Sequence, residues 1–222
     1  GSLDTVLEQR GRAEVPLHCA VEILQQVARA ARHIAEAGFV HTDISLRNVL
    51  VFKYPERMVF SNEVKVKLGD LTGAISMRDK LRAAASLNSR EAANSCLAEP
   101  PFPAKRDLGA SIAVRYAPPE VLEDRLFSEA SDVWSFAVCA WEMFSDEVMP
   151  YLSIGSDEEV AQSVRAGLRL ERPDPCPPVL WASLETCWAM IPGERPRFAN
   201  LEEQLAVVYA LIMHRPGDMT LP

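Results

Sequence analysis

The stretch from Asp132 to Phe144, DVWSFAVCAWEMF, most narrows what this chain can become. Its residues Val133, Trp134, Phe136, Ala137, Val138, Ala140 and Trp141 leave almost no polar face. A helix that is apolar all round belongs in the middle of a core, with other elements packed on every side. Ser131 is placed to cap it. The stretch falls short of the roughly 20 apolar residues of a membrane span, and charged residues interrupt every other apolar segment, so no span is expected. At 222 residues the chain is expected to form one domain around this helix.

The remaining pattern supplies the packing partners. From Leu17 to Ala37, the residues Val21, Leu24, Val27, Ala28, Ala31, Ile34 and Ala35 recur at three- and four-residue spacing, which predicts a helix with one buried face. Gly38 ends it. Val49 to Phe52, and the alternation of Val64, Val66 and Leu68 with lysines, predict two short strands. The segment from Leu71 to Tyr116, rich in small and polar residues and holding Pro100, Pro101 and Pro103, reads as a long loop, weakly amphipathic around Arg78 to Leu87. Further helices are expected near Asp157 to Ala166, Pro178 to Met190 and Phe198 to Ile212. The fold class is therefore mainly α with a few short β-strands.

Charge and cysteine content exclude several functions. A net charge of -8 and a pI near 5.1 argue against a nucleic-acid partner, which calls for a basic surface. Cys19, Cys96, Cys139, Cys176 and Cys187 are scattered and form no C-x-x-C pair, which fits a reducing, intracellular setting, cytoplasmic or the cytoplasmic part of a larger protein. The chain opens Gly1-Ser2 without an initiator Met, so the protein is expected to begin upstream.

The chemistry is concentrated in HTDISLRN, His41 to Asn48, between the long helix and the first strand, and in LGDLTG, where Asp70 ends the second strand. His-x-Asp alone is a weak signal. Together, however, these segments closely resemble the catalytic and metal-binding loops of protein kinases. The resemblance runs on through GSLDTVL, VRYAPPEVL, SDVWSFAVCAWEMFS and CPPVLWASLETCWAMIPGERPRF, where Ile191 replaces the family's Asp. It implies a protein-kinase-like fold, the large C-terminal lobe only, with catalytic loop 41–48, activation segment 70–120 and central helix about 132–144. By the same resemblance, Asp43 is the base that accepts the substrate hydroxyl proton. Asn48 and Asp70 are Mg²⁺ ligands that also hold ATP, and Leu50 lies on the adenine floor. His41, Glu120, Asp132 and Arg195 are structural supports: Glu120 pairs with Arg195, and Asp132 bonds the catalytic-loop backbone.

Two features bear on the acceptor. Tyrosine kinases of this family tend to carry an Arg two or four residues after the catalytic Asp, and here position 45 is Ser and position 47 is Arg. Arg47 is thereby expected beside the transferring phosphate, where a fixed cation stabilises developing charge. AVRYAPPE resembles the tyrosine-kinase shelf for a bulky phenol. A protein tyrosine substrate is favoured over serine or threonine.

The departures are also specific. Thr42 stands where the family has an Arg that grips a phosphate on the activation segment, so that coupling is expected to be absent. Residues 71 to 115 hold no Tyr, although Ser76, Ser86, Ser89, Ser95 and Ser111 remain modifiable. Tyr116 is expected to pack in place of the family's Trp. Leu71-Thr72 replaces Phe-Gly, and Gly73 is expected to supply the positive φ that a β-branched Thr resists. Part of the basic 71–116 segment is expected to be disordered or to fold back over the substrate site. No G-x-G-x-x-G occurs and no Lys precedes Lys53, so the small ATP-binding lobe is expected to be missing, and nucleotide binding by these residues alone to be weak. A second reading is a non-catalytic module that docks a regulatory protein through its hinge-side face and the helix near Asp157 to Ala166. A small-molecule phosphotransferase leaves VRYAPPE unexplained.

Overall fold

The computed structural model describes residues 1–12, 15–54, 64–77, 104–105, 112–146 and 149–214. The apolar stretch is a helix, here α4, at Glu129–Phe144. Before it come α1 (Leu3–Arg10), α2 (Leu17–Glu36) and α3 (Pro119–Asp124); after it come α5 (Asp157–Arg165), α6 (Pro178–Thr186) and α7 (Phe198–Met213). Among the described residues six short strands pair in twos: β1 (Phe39–Val40) with β4 (Ile75–Ser76), β2 (Val49–Lys53) with β3 (Lys65–Leu68), and β5 (Ala104–Lys105) with β6 (Leu126–Phe127), all antiparallel. The architecture is mainly α with a few short strands, as the sequence pattern predicts.

Every side chain of α4 from Ser131 to Phe144 is buried. Its apolar surface is met by α2, α6, α7 and the loops, and Phe136 meets Phe198 of α7 edge to face, with ring centroids 5.9 Å apart. The helix begins a turn earlier than the sequence suggests. Ser128, not Ser131, is the cap: its extended backbone opens the helix, and Ser131 in the first turn closes back, its Oγ accepting the Ser128 N–H at 3.0 Å. Glu129, in the same turn, accepts the Phe198 N–H at 3.0 Å and so joins the starts of α4 and α7.

Helix α2 lies along α7 and carries the β2–β3 hairpin on its flank. The hairpin is in register from Val49↔Leu68 to Val51↔Val66, with an irregularity before Lys53. The Gln26 side chain acts as an extra strand residue, donating to Val64 O and accepting from Val66 N–H, both at 3.1 Å. Where α2 ends, Gly38 takes φ 84° and returns its N–H to Ala35 O at 2.9 Å, turning the chain directly into β1.

Helix α6 is shorter than the expected Pro178 to Met190. The chain leaves it after Thr186, so that Cys187 and Trp188 turn into the core, where Trp188 meets Trp181 at 5.3 Å between centroids. Ile191 then opens a 3₁₀ turn at Pro192–Glu194 with no side-chain cap, while itself 58% exposed. Ile191→Asp should therefore stabilise the protein by about 0.5–1 kcal/mol through a new cap, raising Tm by about 1–4 °C in a thermal melt.

Candidate active site: a loop pinned to the central helix

Two acids interrupt the buried face of α4, and each is aimed at the loop 41–48. Asp132 accepts the His41 N–H on Oδ2 at 2.6 Å and the Thr42 N–H on Oδ1 at 2.9 Å. Glu142 accepts the Leu46 N–H at 3.3 Å and the Tyr116 hydroxyl at 2.6 Å. Burial pushes the Asp132 carboxyl up to about 7 against the pull of the two backbone N–H groups. Burial likewise raises Glu142, and burial together with Glu142 raises the Tyr116 phenol. The Asp132 role had a motif to point to it. Glu142 was missed, although a carboxylate inside an otherwise apolar helix is itself the signal.

From this scaffold the loop presents its functional groups. His41 is fully buried and joins two segments: Nε2 donates to Gly69 O at 2.9 Å, while Nδ1 accepts the Asp43 N–H at 3.3 Å. Those two partners require the neutral Nε2–H tautomer, in keeping with the lowering of its pKa by burial. Asp43 follows, its carboxylate held by Arg47 Nη2 at 2.8 and 3.1 Å and by Asn48 Nδ2 at 2.9 Å. Asn48 Nδ2 also donates to Asp43 O at 2.8 Å, which fixes the amide's orientation.

Asp70 sits at the exposed end of β3 in the left-handed region, φ 57°, which Asp tolerates better than most residues. Its Oδ1 accepts the Thr72 hydroxyl at 2.5 Å and the Thr72 N–H at 3.3 Å, and these bonds hold the carboxyl below the usual range. Leu71 to Gly73 form a 3₁₀ turn in which neither Thr72 nor Gly73 has positive φ. The expectation for Gly73 is thus corrected: the left-handed residues are Asp70 and, in the facing loop, Thr42 at φ 74°. Leu50 is 40% exposed and lies over Gly69, where an added Cβ would come within 2.9 Å of Leu50 Cδ1. The Arg78 to Leu87 stretch and the fold-back expected for the long loop lie outside the described residues.

The oxygen chemistry suits a hard cation. Among the described residues, Asn48 Oδ1 and Asp70 Oδ2 carry no hydrogen bond, and no cluster of three or more His, Cys, Asp or Glu could form an all-protein metal cage. One carboxylate and one carboxamide oxygen are the donor set of an ion that takes its other ligands from water and phosphate, as Mg²⁺ does.

The segment leading into the first turn of α3 is tied down just as firmly. Arg195 is buried and makes a bidentate pair with Glu120 at 2.7 and 2.9 Å, while also donating to Ala130 O and Ala189 O. Arg115 donates to Pro150 O and Tyr151 O, each at 2.8 Å, to Ile154 O at 3.2 Å, and to Asp157 at 2.8 Å. Tyr116 packs against the core, as its sequence context suggests, and adds the bond to Glu142.

A polar loop held along a buried central helix, by Asp132 near the helix's start and Glu142 near its end, within a mainly α lobe, is the architecture of the protein-kinase fold's large lobe. The family model for protein tyrosine and serine/threonine kinase matches residues 1–205, and the chain belongs to that family. Tyrosine-protein kinase ZAP-70 of Mus musculus is 29% identical over 204 residues, 92% of this chain and 28% of that protein. Ephrin type-A receptor 1 of Homo sapiens is 29% identical over 210 residues, 95% of this chain and 18% of that protein. The chain thus spans less than a third of either relative. No helix among the described residues is long and apolar enough to cross a membrane.

Two outcomes follow from this geometry. Glu120→Ala leaves the Arg195 charge buried and uncompensated, and should cost about 3–5 kcal/mol in urea unfolding. His41 is lowered on folding, so its contribution is present above the unfolded value of about 6.5 and is lost as pH falls through the folded value. The stability gap between the wild type and His41→Asn should accordingly be widest near pH 7.5 and narrow towards pH 5, when unfolding midpoints are compared across that range.

Proposed function

We propose that residues 1–222 are the large lobe of a protein kinase that transfers the γ-phosphate of ATP to a protein hydroxyl, tyrosine in preference to serine or threonine. The observation that carries this reading is the setting of Asp43, whose carboxylate is oriented by Asn48 and Arg47 on a loop fixed by Asp132. In that role Asp43 accepts the acceptor hydroxyl's proton as the oxygen attacks phosphorus in line. Phosphoryl transfer asks the protein mainly for positioning and charge stabilisation, which such a rigid loop supplies. Arg47 is the cation beside the transferring group.

Asn48 and Asp70 would hold Mg²⁺, which when bound neutralises charge on the phosphates. Asp70 is suited to this because its Thr72 bonds favour the ionised form. Leu50, exposed on β2, would underlie the adenine. The grip on the phosphates from above falls to a small lobe outside these residues, since they contain no Gly-rich loop.

The tyrosine preference is supported by Arg47 four residues after Asp43 and by the turn Val114–Tyr116, which Arg115 and Glu142 fix in place. It is supported too by the name of one relative, a tyrosine-protein kinase. The partners on this reading are a protein substrate and the small lobe or a regulatory protein. The setting is intracellular, in the cytoplasm or on the cytoplasmic part of a larger protein. A non-catalytic docking lobe is the second reading, favoured by the exposed apolar side chains of Leu50, Phe52 and Leu71.

A phosphorylation assay with Mg-ATP on the full-length protein separates the two. Transfer should be measurable in the wild type and fall by at least about a hundredfold in Asp43→Asn, which removes the base. Absence of transfer in both sinks the catalytic reading.

A further inference from the structure

We propose that Thr42 is a positioning residue whose hydroxyl latches the turn carrying Asp70 to the loop carrying Asp43, so setting base and metal ligand in register. The proposal rests on the catalytic reading above for its consequence, but not for its geometry. Its starting point is a conflict between residue type and backbone. Thr42 has φ 74°, a left-handed value that a β-branched side chain enters only at a cost. Glycine would adopt it freely, and Asn or Asp more cheaply. The strained residue is therefore expected to return something through its side chain.

What it returns is a bond across the site. Thr42 Oγ1 donates to Gly73 O at 3.1 Å. His41, one residue earlier, donates from Nε2 to Gly69 O at 2.9 Å. Consecutive residues of one loop thus grip the two carbonyls that bracket Asp70, one on each side. The backbone N–H groups of the same two residues are the pair that Asp132 fixes. The whole arrangement is a clamp with its base in the central helix and its jaws on residues 69 and 73.

Asp70 has need of such a clamp. It is exposed, and its own side-chain bonds run only to Thr72 within its turn, so they order the turn without tying it to Asp43. Beyond the turn, β4 is held to β1 through Val40↔Ile75 and Phe39↔Ser76. The stretch between Gly69 and Ile75 is where a hydroxyl from the facing loop has the most to add. A metal ion shared between Asn48 and Asp70 would feel the placement of that turn directly.

The test compares Thr42→Val, which keeps the β-branch and the strain but removes the hydroxyl, with Thr42→Ser, which keeps the hydroxyl. The first readout is amide hydrogen exchange on the full-length protein. Thr42→Val should speed exchange in the 71–74 turn by about two- to tenfold, the worth of one net hydrogen bond, with α4 unchanged and Thr42→Ser at the wild-type rate. The second readout is the Mg²⁺ dependence of phosphorylation: the apparent KM for Mg²⁺ should rise by a similar factor in Thr42→Val, kcat should change less, and Thr42→Ser should restore it. Wild-type exchange in the turn of Thr42→Val overturns the latch, as does faster exchange spread equally over α4. An unchanged Mg²⁺ KM beside a loosened turn overturns the positioning role. If no form transfers phosphate, the catalytic reading fails, and the exchange data still decide whether the latch exists.

Discussion

A single dehydrated carboxylate organises this lobe. Removing Asp132 from water costs several kcal/mol, and two main-chain N–H groups offset that cost by replacing its hydration. The carboxylate takes both donors only if His41 and Thr42 turn their N–H groups towards the same helix, and that requirement holds Thr42 at φ 74°. With those two residues set, the His41 ring reaches Gly69 and the Asp43 N–H falls on its other nitrogen. A chain of local necessities leads from the core of α4 to the group proposed as the base. Loss of the Asp132 carboxylate would release all of them together.

A second centre lies on Trp134, two residues further along the same helix. The guanidinium carbons of Arg169 and Arg195 stand 4.5 and 4.9 Å from its ring centroid. Arg195 carries the structural burden there, because one planar fork reaches Glu120 in the first turn of α3, Ala130 in α4 and Ala189 after α6. A lysine could supply the charge and three donors, but not the coplanar fork that grips both Glu120 oxygens while two further N–H groups reach the carbonyls. The segment from Val114 to Glu120 is therefore fixed to the same helix as the loop 41–48, and Glu142 closes the circuit by bonding both Leu46 and Tyr116.

The residues differ in how clearly the sequence announces them. The all-apolar run of α4, the 3.6-residue rhythm of α2 and the alternation in β3 each follow from a local pattern, and the elements lie close to where those patterns put them. Boundaries set by tertiary packing were less legible. Nothing local says that Trp188 will leave helical geometry to reach Trp181, or that Ser128 rather than Ser131 will open α4. In the site, the bonds from Asp132 to the loop backbone and the Glu120–Arg195 pair were legible through the motifs that carry the resemblance. The Thr42–Gly73 and Glu142–Tyr116 bonds were not, because their partners lie 31 and 26 positions apart and no motif couples them. The expected positive φ at Gly73 failed for a related reason: the reversal is absorbed at Asp70, and the 3₁₀ turn that follows needs none.

The ion pairs also divide by burial. Arg195 with Glu120 is dry on the arginine side, so breaking it strands a charge, and it behaves as a permanent rivet. Arg47 with Asp43 is of another kind: the side chains are 52% and 30% exposed, and a pair so solvated is worth only about 0–1 kcal/mol. Its guanidinium also lies 5.8 Å from the Tyr116 ring centroid, within reach of an aromatic face. A weak partner is what the proposed chemistry requires of Arg47. If it held Asp43 tightly, the carboxylate would have to break a strong bond before taking up a hydroxyl proton. Held loosely, Arg47 can turn towards a phosphate oxygen while the two bonds from Asn48 Nδ2 keep Asp43 in place. The rigid pairs fix where the reaction would occur, and the solvated pair leaves its two charged groups available to take part.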